Sequence, residues 1–265
     1  MRTDATLKAA RETLASYGVR SLLADPLSNP KVSKNGKLGV LTAPMHLAPA
    51  NISGFEVCPM RSAGCTAACL NTAGHPAYAK GKAKARNART IAYFKARPEF
   101  MRVLVAEIEA HQRKAERMGM DCAVRLNATS DICWESVPCE RAGEMFQNVM
   151  AAFPAIDFYD YTKIAKRFHK ARPLPSNYSL TFSLAEGNDA AARVVYLAGG
   201  NVAAVFNVKR GKPLPETYTI HGETLRVIDG DVHDYRPSDP RGVIVGLRAK
   251  GRAIGDASGF VRAVA

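Results

Sequence analysis

From residue 122 onward, short segments of period-two hydrophobicity alternate with segments of helical periodicity, and this alternation constrains the fold more than any other feature. Strand-like segments fall at 122–129, 156–163, 179–185, 202–209, 225–229 and 243–250. Helical patterns at 140–152, about 163–170 and 188–198 lie between several of them. Parallel neighbours need a crossover between them, so this order predicts an α/β fold with a mainly parallel sheet. A strand near 40–47 adds a further unit. Six or seven βα units in about 220 residues predict a full or partial (β/α) barrel.

Within the strands the two faces differ. Val124, Leu126 and Ala128 alternate with Arg125, Asn127 and Thr129, and Leu180, Phe182 and Leu184 alternate with Ser179, Thr181 and Ser183. Asn207 with Lys209, and Arg248 with Lys250, repeat the pattern. One face meets helices. In a barrel the other lines the interior and its carboxyl-terminal mouth, where active sites sit; an open sheet with one wet face is the alternative.

The remaining organisation follows from turn and cap signals. Residues 4–17 read as a helix ended by Gly18, and Asn35-Gly36 reads as a hairpin turn. Residues 76–95 read as an Ala- and Lys-rich helix. A second helix starts at Pro98, carries Phe100, Met101, Leu104, Val105 and Ile108 on one face, and ends near Gly119. Residues 210–224 read as an irregular or hairpin insertion. The expected division is an N-terminal helix and extension at 1–36, followed by one barrel domain at 37–265.

Composition excludes several classes. With 47% apolar residues most of the chain buries enough surface to fold. No run approaches the roughly 18 apolar residues that span a bilayer. The first ten residues lack the pattern of a signal peptide, so the expectation is a cytoplasmic protein with no membrane partner. The net charge of +13 is concentrated: from Val57 to Pro98 there are eight Lys or Arg and no Asp or Glu. Such a patch recruits anions, although a solvated helix face has the same composition.

Six cysteines are present, three of them in Cys58-Pro-Met-Arg-Ser-Ala-Gly-Cys65-Thr-Ala-Ala-Cys69. Gly54, Pro59, Gly64 and Gly74 let this loop, taken as 54–75, wrap closely round something. Three thiolates suit a [4Fe-4S] cluster with one iron left open. Zinc needs a fourth ligand, for which His75 is available. Three small buried residues are the bland alternative. Cys122, Cys133 and Cys139 signal a second site only weakly.

The strand ends concentrate chemistry. Asn127-Ala-Thr-Ser-Asp131 ends one strand, followed by the single tryptophan, Trp134, and Glu135; Tyr159 to Lys163 ends the next. Ser183 with Glu186, and Asp229, Asp231 and His233, end two others. Asp131, Asp160 and Lys163 are the candidate catalytic residues, by proton transfer; a helix N-cap is the plain alternative for Asp131. Arg125, Asn127, Thr129, Ser183, Asn207, Lys209 and Lys250 are the candidate lining of a pocket for a small anionic or nucleotide-like ligand.

The cysteine segment through Gly74, with Val-Arg-Leu-Asn-Ala-Thr-Ser-Asp, Phe-Tyr-Asp-Tyr-Thr-Lys and the closing Gly-Val-Ile-Val-Gly-Leu-Arg-Ala-Lys-Gly, resembles a bacteriophage family over roughly 37–262. That family is named after mycobacteriophage gene product eighty-eight, and the resemblance implies a phage or prophage origin. More distantly, a three-cysteine loop after the first strand is similar to radical-SAM partial barrels. That likeness implies Cys58, Cys65 and Cys69 as cluster ligands and S-adenosylmethionine on the open iron. The chain departs from it in its C-x6-C-x3-C spacing, in lacking an aromatic residue beside the last cysteine, and in having Thr129-Ser130-Asp131 where Gly-Gly-Glu is usual.

The combined expectation is an iron–sulfur protein performing radical or redox chemistry on a nucleotide-like anion. The alternative is a non-enzymatic nucleic-acid-binding protein with structural zinc, whose helix at 76–97 contacts phosphates.

Overall fold

The computed structural model describes residues 2–69, 80–171 and 173–264. Its elements in chain order are α1 (Arg2–Ser16), β1 (Val40–Pro44), α2 (Ala50–Ser53), α3 (Ala63–Ala67), α4 (Lys80–Lys95), α5 (Arg97–Arg117), β2 (Asp121–Arg125), β3 (Cys139–Arg141) and β4 (Glu144–Phe146). There follow α6 (Val149–Ala152), β5 (Asp157–Thr162), β6 (Tyr178–Ser183), α7 (Asp189–Leu197), β7 (Asn201–Phe206), β8 (Thr217–Ile220), β9 (Glu223–Asp229), β10 (Ile244–Arg248) and β11 (Val261–Arg262). All six strand segments expected after residue 121 are present, and the α/β class holds.

The barrel does not. The sheet is nine-stranded and largely parallel, in the order β1-β2-β5-β6-β7-β10-β9-β8, with β11 beside β7. Among the described strands β1 meets only β2 and β8 meets only β9, so the ladder has two ends and stays open. The region 210–224 supplies the reason at one end: β8 folds back antiparallel on β9, from Thr217↔Arg226 to Ile220↔Glu223, and stops the parallel series. No helix among the described residues is long and apolar enough to cross a membrane.

The chain divides into two compact units. The first comprises Met1–Cys58, Ala77–Phe158 and Pro175–Tyr178. Here β1 runs parallel to β2 from Val40↔Asp121 to Pro44↔Arg125. Helix α5 packs on both strands through the apolar face read from the sequence, with Phe100, Met101, Leu104, Val105 and Ile108 all buried. From the same helix, His111 Nε2 lies 3.1 Å from the carbonyl oxygens of Leu41 and Ala123. Burial holds its pKa below the ordinary histidine value, so the neutral ring sits between two strand carbonyls. Helix α1 packs on α5, and Gly18 ends it in the left-handed region at φ +84°.

Two local expectations fail in this unit. Asn35-Gly36 makes no hairpin: residues 32–38 form a 3₁₀ helix. The Asn35 side chain turns inward, fully buried, and donates to Thr42 Oγ1 at 2.9 Å. Residues 140–152 form no continuous helix. Ala142 and Gly143 both have positive φ and turn β3 back on β4, while Asn148 caps a new helix by accepting from the Ala151 N–H at 2.9 Å. A cap inside a helical pattern starts the helix there and leaves the preceding residues outside it.

The second unit comprises Pro59–Pro76, Tyr159–Leu174 and Ser179–Ala265. Its core joins Phe182, Val202, Phe206, Leu225 and Ile244 to Ala192 and Val195 of α7. The helix expected at 163–170 is a 3₁₀ turn at Ala165–Phe168. Strand β6 accompanies β7 over Asn201–Ala203, and β11 accompanies it over Val205 and Phe206. The last strand therefore continues the ladder just beyond the point where β6 ends. Between β9 and β10 the only helical element among the described residues is a 3₁₀ turn at Arg236–Ser238. A buried Arg236 organises the turn, donating through Nε to Asp234 O at 3.2 Å and through Nη2 to His233 O, and pairing with Asp239 at 3.1 Å.

Candidate functional site

Parallel sheets collect ligands outside their carboxyl ends, and the candidate residues fall at such ends in each unit. In the first unit Arg125, the last residue of β2, and Asn127, in the turn just after it, are both buried, so this end of the strand is not a wet polar face. Asn127 is used by its own loop. Its Oδ1 accepts from Ser130 Oγ at 2.8 Å, Ile132 N at 3.0 Å and Trp134 Nε1 at 3.1 Å, while Nδ2 donates to Ile132 O at 2.8 Å. Thr129 Oγ1 donates to Leu47 O at 2.7 Å, and the N–H of the buried Asp131 donates to Val57 O at 2.7 Å. Cys58 lies in this stitched region, with its Sγ 4.0 Å from Thr129 O.

In the second unit Lys163 and Ser183 are brought together at the ends of β5 and β6, with Nζ donating to Oγ at 2.8 Å. The same ammonium stands 5.6 Å from the centre of the Phe260 ring. Asp160 is buried within β5. Asn207 and Lys209 are exposed past the end of β7. Lys250 is instead joined to a network, its Nζ 2.5 Å from Asp231 Oδ1, with Arg248 bridging Asp229 at 2.9 Å and Asp231 at 3.1 Å. Burial pushes the Asp231 carboxyl up, but the bonds and charges of Lys250 and Arg248 outweigh it and hold the group below the usual carboxylate range.

Helix α3, which carries Cys65, is docked in this unit. Ser62 caps it by accepting from Cys65 N at 3.2 Å. Glu186 Oε1 accepts from Gly64 N at 2.5 Å, while its Oε2 is buried with no hydrogen-bond partner among the described residues. A methyl group at Gly64 would lie 2.0 Å from Ser258 Oγ, so only glycine fits. Cys65 packs against a small apolar cluster of Ala68, Ala185, Ala253, Phe260 and Val261. The sequence marks Gly64 and Glu186 separately; nothing in it joins them to Ser258, because that contact depends on where β11 pairs.

None of the six cysteines forms a disulfide among the described residues, and Cys58, Cys65 and Cys69 are half-buried. Among the described residues no group of three or more His, Cys, Asp or Glu is placed to hold a metal ion. The three thiols therefore form no ready ligand set in this conformation. His75, the candidate fourth zinc ligand, lies outside the described residues, as do the first residues of the helix expected at 76–95.

Comparison with known proteins gives one result. The family described as Gene product 88 matches residues 20–263. The chain belongs to that family. The resemblance carried by the cysteine segment and the strand-end strings is thereby borne out, and the family spans both compact units. No curated protein and no solved structure matches the chain.

Proposed function

We propose that this Gene product 88 family member is an iron–sulfur protein, with Cys58, Cys65 and Cys69 as the thiolate donors and a small anionic ligand bound beside Lys163. The observation that carries the reading is the chemistry of the donor set: three half-buried thiols on one short segment, none in a disulfide, with Cys58 Sγ 4.0 Å from Thr129 O and Gly64 N held by Glu186. Burial pushes Cys122 up to about 12 and Cys139 up to about 11, which disfavours the thiolate that a metal needs.

Because the donors form no ready set, loading a cluster requires the segment to rearrange, and the rearrangement is part of the proposal. A cluster would supply electron transfer or an open iron. The protein's own contribution is anion recognition. Lys163, held by Ser183, and the exposed Asn207 and Lys209 offer an ammonium group and amide donors at strand ends, which suits a phosphate or carboxylate of a nucleotide-like ligand.

Anaerobic expression with iron and sulfide tests the reading. Brown protein with about four irons per chain is expected, and Cys65→Ala should lose them. Colourless protein carrying stoichiometric zinc would overturn the cluster in favour of a structural zinc site. If iron is present, reductive cleavage of S-adenosylmethionine is the next assay, and its absence removes the radical chemistry implied by the distant likeness.

A further inference from the structure

Within the second unit, the residues after β10 form a loop that bonds to itself. Ala253 N donates to Lys250 O at 3.1 Å, Ile254 N to Gly251 O at 3.2 Å and Asp256 N to Ala253 O at 3.2 Å. The Asp256 carboxylate accepts from Ser258 Oγ at 2.8 Å and from Val261 N at 3.0 Å, and Phe260 N donates to Ser258 Oγ at 3.2 Å. All of these bonds begin and end inside residues 250–261, so the loop keeps them when it moves as one body. Gly251, at φ +57° just past the end of β10, is placed to absorb such a movement.

The loop lies across three side chains that bear chemistry. Ser258 fills the space at Gly64, where a methyl group would come within 2.0 Å of its Oγ. A methyl group at Gly259 would lie 3.5 Å from Glu186 Cβ, so the backbone there covers that residue. The Phe260 ring centre stands 5.6 Å from Lys163 Nζ. Ala253, Phe260 and Val261 pack with Ala68 and Ala185 against Cys65. A single loop thus covers Lys163, Glu186 and Cys65.

Its attachment is slight. Strand β11 is two residues long, Ile254 is 69% exposed rather than packed, and alanines supply much of the apolar contact. Closure also leaves Glu186 Oε2 buried without a hydrogen-bond partner among the described residues, a cost that water removes when the loop lifts. The main fastening is Arg262, which donates to Asp189 Oδ1 at 3.2 Å, to Asp189 Oδ2 at 2.9 Å and to Ala185 O at 2.7 Å. Few apolar contacts and one charged fastening suit a segment that opens without global unfolding. We propose that residues 251–262 form a strap, latched by Arg262 on Asp189, which closes over Lys163, Glu186 and Cys65 and opens as a unit to expose them. The strap is a property of the metal-free chain; that its opening admits iron to Cys65 and a small anion to Lys163 rests on the function proposed above.

The test follows alkylation of each cysteine of the metal-free full chain by iodoacetamide, with Cys122 and Cys139 of the first unit as reporters of global unfolding. Arg262→Ala and, separately, Asp189→Asn should speed labelling of Cys65 by about tenfold or more, the factor for losing a charge-assisted hydrogen bond. Labelling of Cys122 and Cys139 should not change. Rising salt should speed Cys65 in the parent, because the latch is partly solvent-exposed, and should have no such effect in Arg262→Ala. Hydrogen exchange over 251–262 should be faster than over β7 and should accelerate in both variants. Unchanged Cys65 labelling in both variants, equal acceleration of all three cysteines, or exchange over 251–262 as slow as over β7 would each overturn the strap. No iron enters these measurements. Reconstitution with iron and sulfide then separates the two readings: a working strap in a chain that takes up no iron overturns the cluster and not the strap.

Discussion

The Glu186 carboxylate accepts a hydrogen bond from the backbone N–H of Gly64 at 2.5 Å, joining the loop after β6 to the helix that carries Cys65. The contact works only because Gly64 has no side chain; a Cβ would lie 2.0 Å from Ser258 Oγ and 2.9 Å from Glu186 Oε1. Ser258 cannot easily yield, since its hydroxyl donates to Asp256 and accepts from Phe260 N. Gly64→Ala is therefore expected to cost about 1–3 kcal/mol through overpacking. Glu186→Ala should cost about 1–2 kcal/mol by leaving Gly64 N unpaired. Hydrogen exchange should show faster exchange over 62–69 in both variants; unchanged exchange there would mean that the contact does not hold the helix.

Asn127 should prove structural rather than ligand-binding. Asn127→Ala leaves Trp134 Nε1, Ser130 Oγ and both backbone groups of Ile132 without the partner they share. Several buried groups losing one partner predict a cost of about 2–4 kcal/mol. Trp134 is the single tryptophan and is fully buried, so its fluorescence reports the site directly. A red-shifted emission in the folded variant is expected. Unshifted emission and unchanged stability would return Asn127 to the list of candidate ligand contacts.

The contrast between Asn127 and Lys163 shows what could be read from the sequence. Alternation along β2 and β6 identified both strands, although β2 ends at Arg125, four residues short of the expected segment. It did not reveal whether the polar face is wet, since that depends on what covers it, and Arg125, Asn127 and Thr181 are buried. Openness was equally hidden. Closure depends on the pairing of the first and last strands, and the antiparallel return of β8 is a matter of Gly222 and a positive-φ His221 at one turn. The helix expected at 140–152 failed for a similar reason: Ala142-Gly143 formed a hairpin tip within residues of good helical propensity. Lys163 meeting Ser183 was the kind of relationship the pattern does anticipate, as both stand at neighbouring strand ends.

Asp239 should make stability fall as pH rises through the weakly acidic range. Its side chain is 2% exposed beside Arg236. Burial pushes the carboxyl up to about 6; the Arg236 charge lowers it and the Asp234 charge raises it. A folded-state pKa above the unfolded value means that the folded chain binds the extra proton, so this contribution is complete below about pH 4 and is lost as pH rises through about 6. Asn cannot ionise. Asp239→Asn should thus match the parent near pH 4 and exceed it at pH 7.5 by up to about 2–3 kcal/mol. Urea unfolding at both pH values measures the difference. A variant weaker than the parent at pH 7.5 would show that the ion pair with Arg236 outweighs the burial of its charge.

The thiols should separate by reactivity, and iron should reverse part of the order. Only the thiolate reacts with iodoacetamide at an appreciable rate. Cys122, desolvated and near Glu116 and Asp157, is pushed up to about 12, and Cys139, desolvated beside Arg141, to about 11. At pH 8 these two should react at least about a hundredfold more slowly than an ordinary exposed thiol. Cys58, Cys65 and Cys69 are half-buried and outside any disulfide, so mass spectrometry of the metal-free chain should find them modified before Cys122 and Cys139. Cys65 should lag the other two, because it packs against Phe260 and Val261. Reconstitution with iron and sulfide should then protect all three together, since a thiolate bound to iron is no longer a free nucleophile. Protection of fewer than three would reduce the proposed ligand set to the cysteines that are shielded. Unchanged labelling of all three after reconstitution would remove the cluster from this segment.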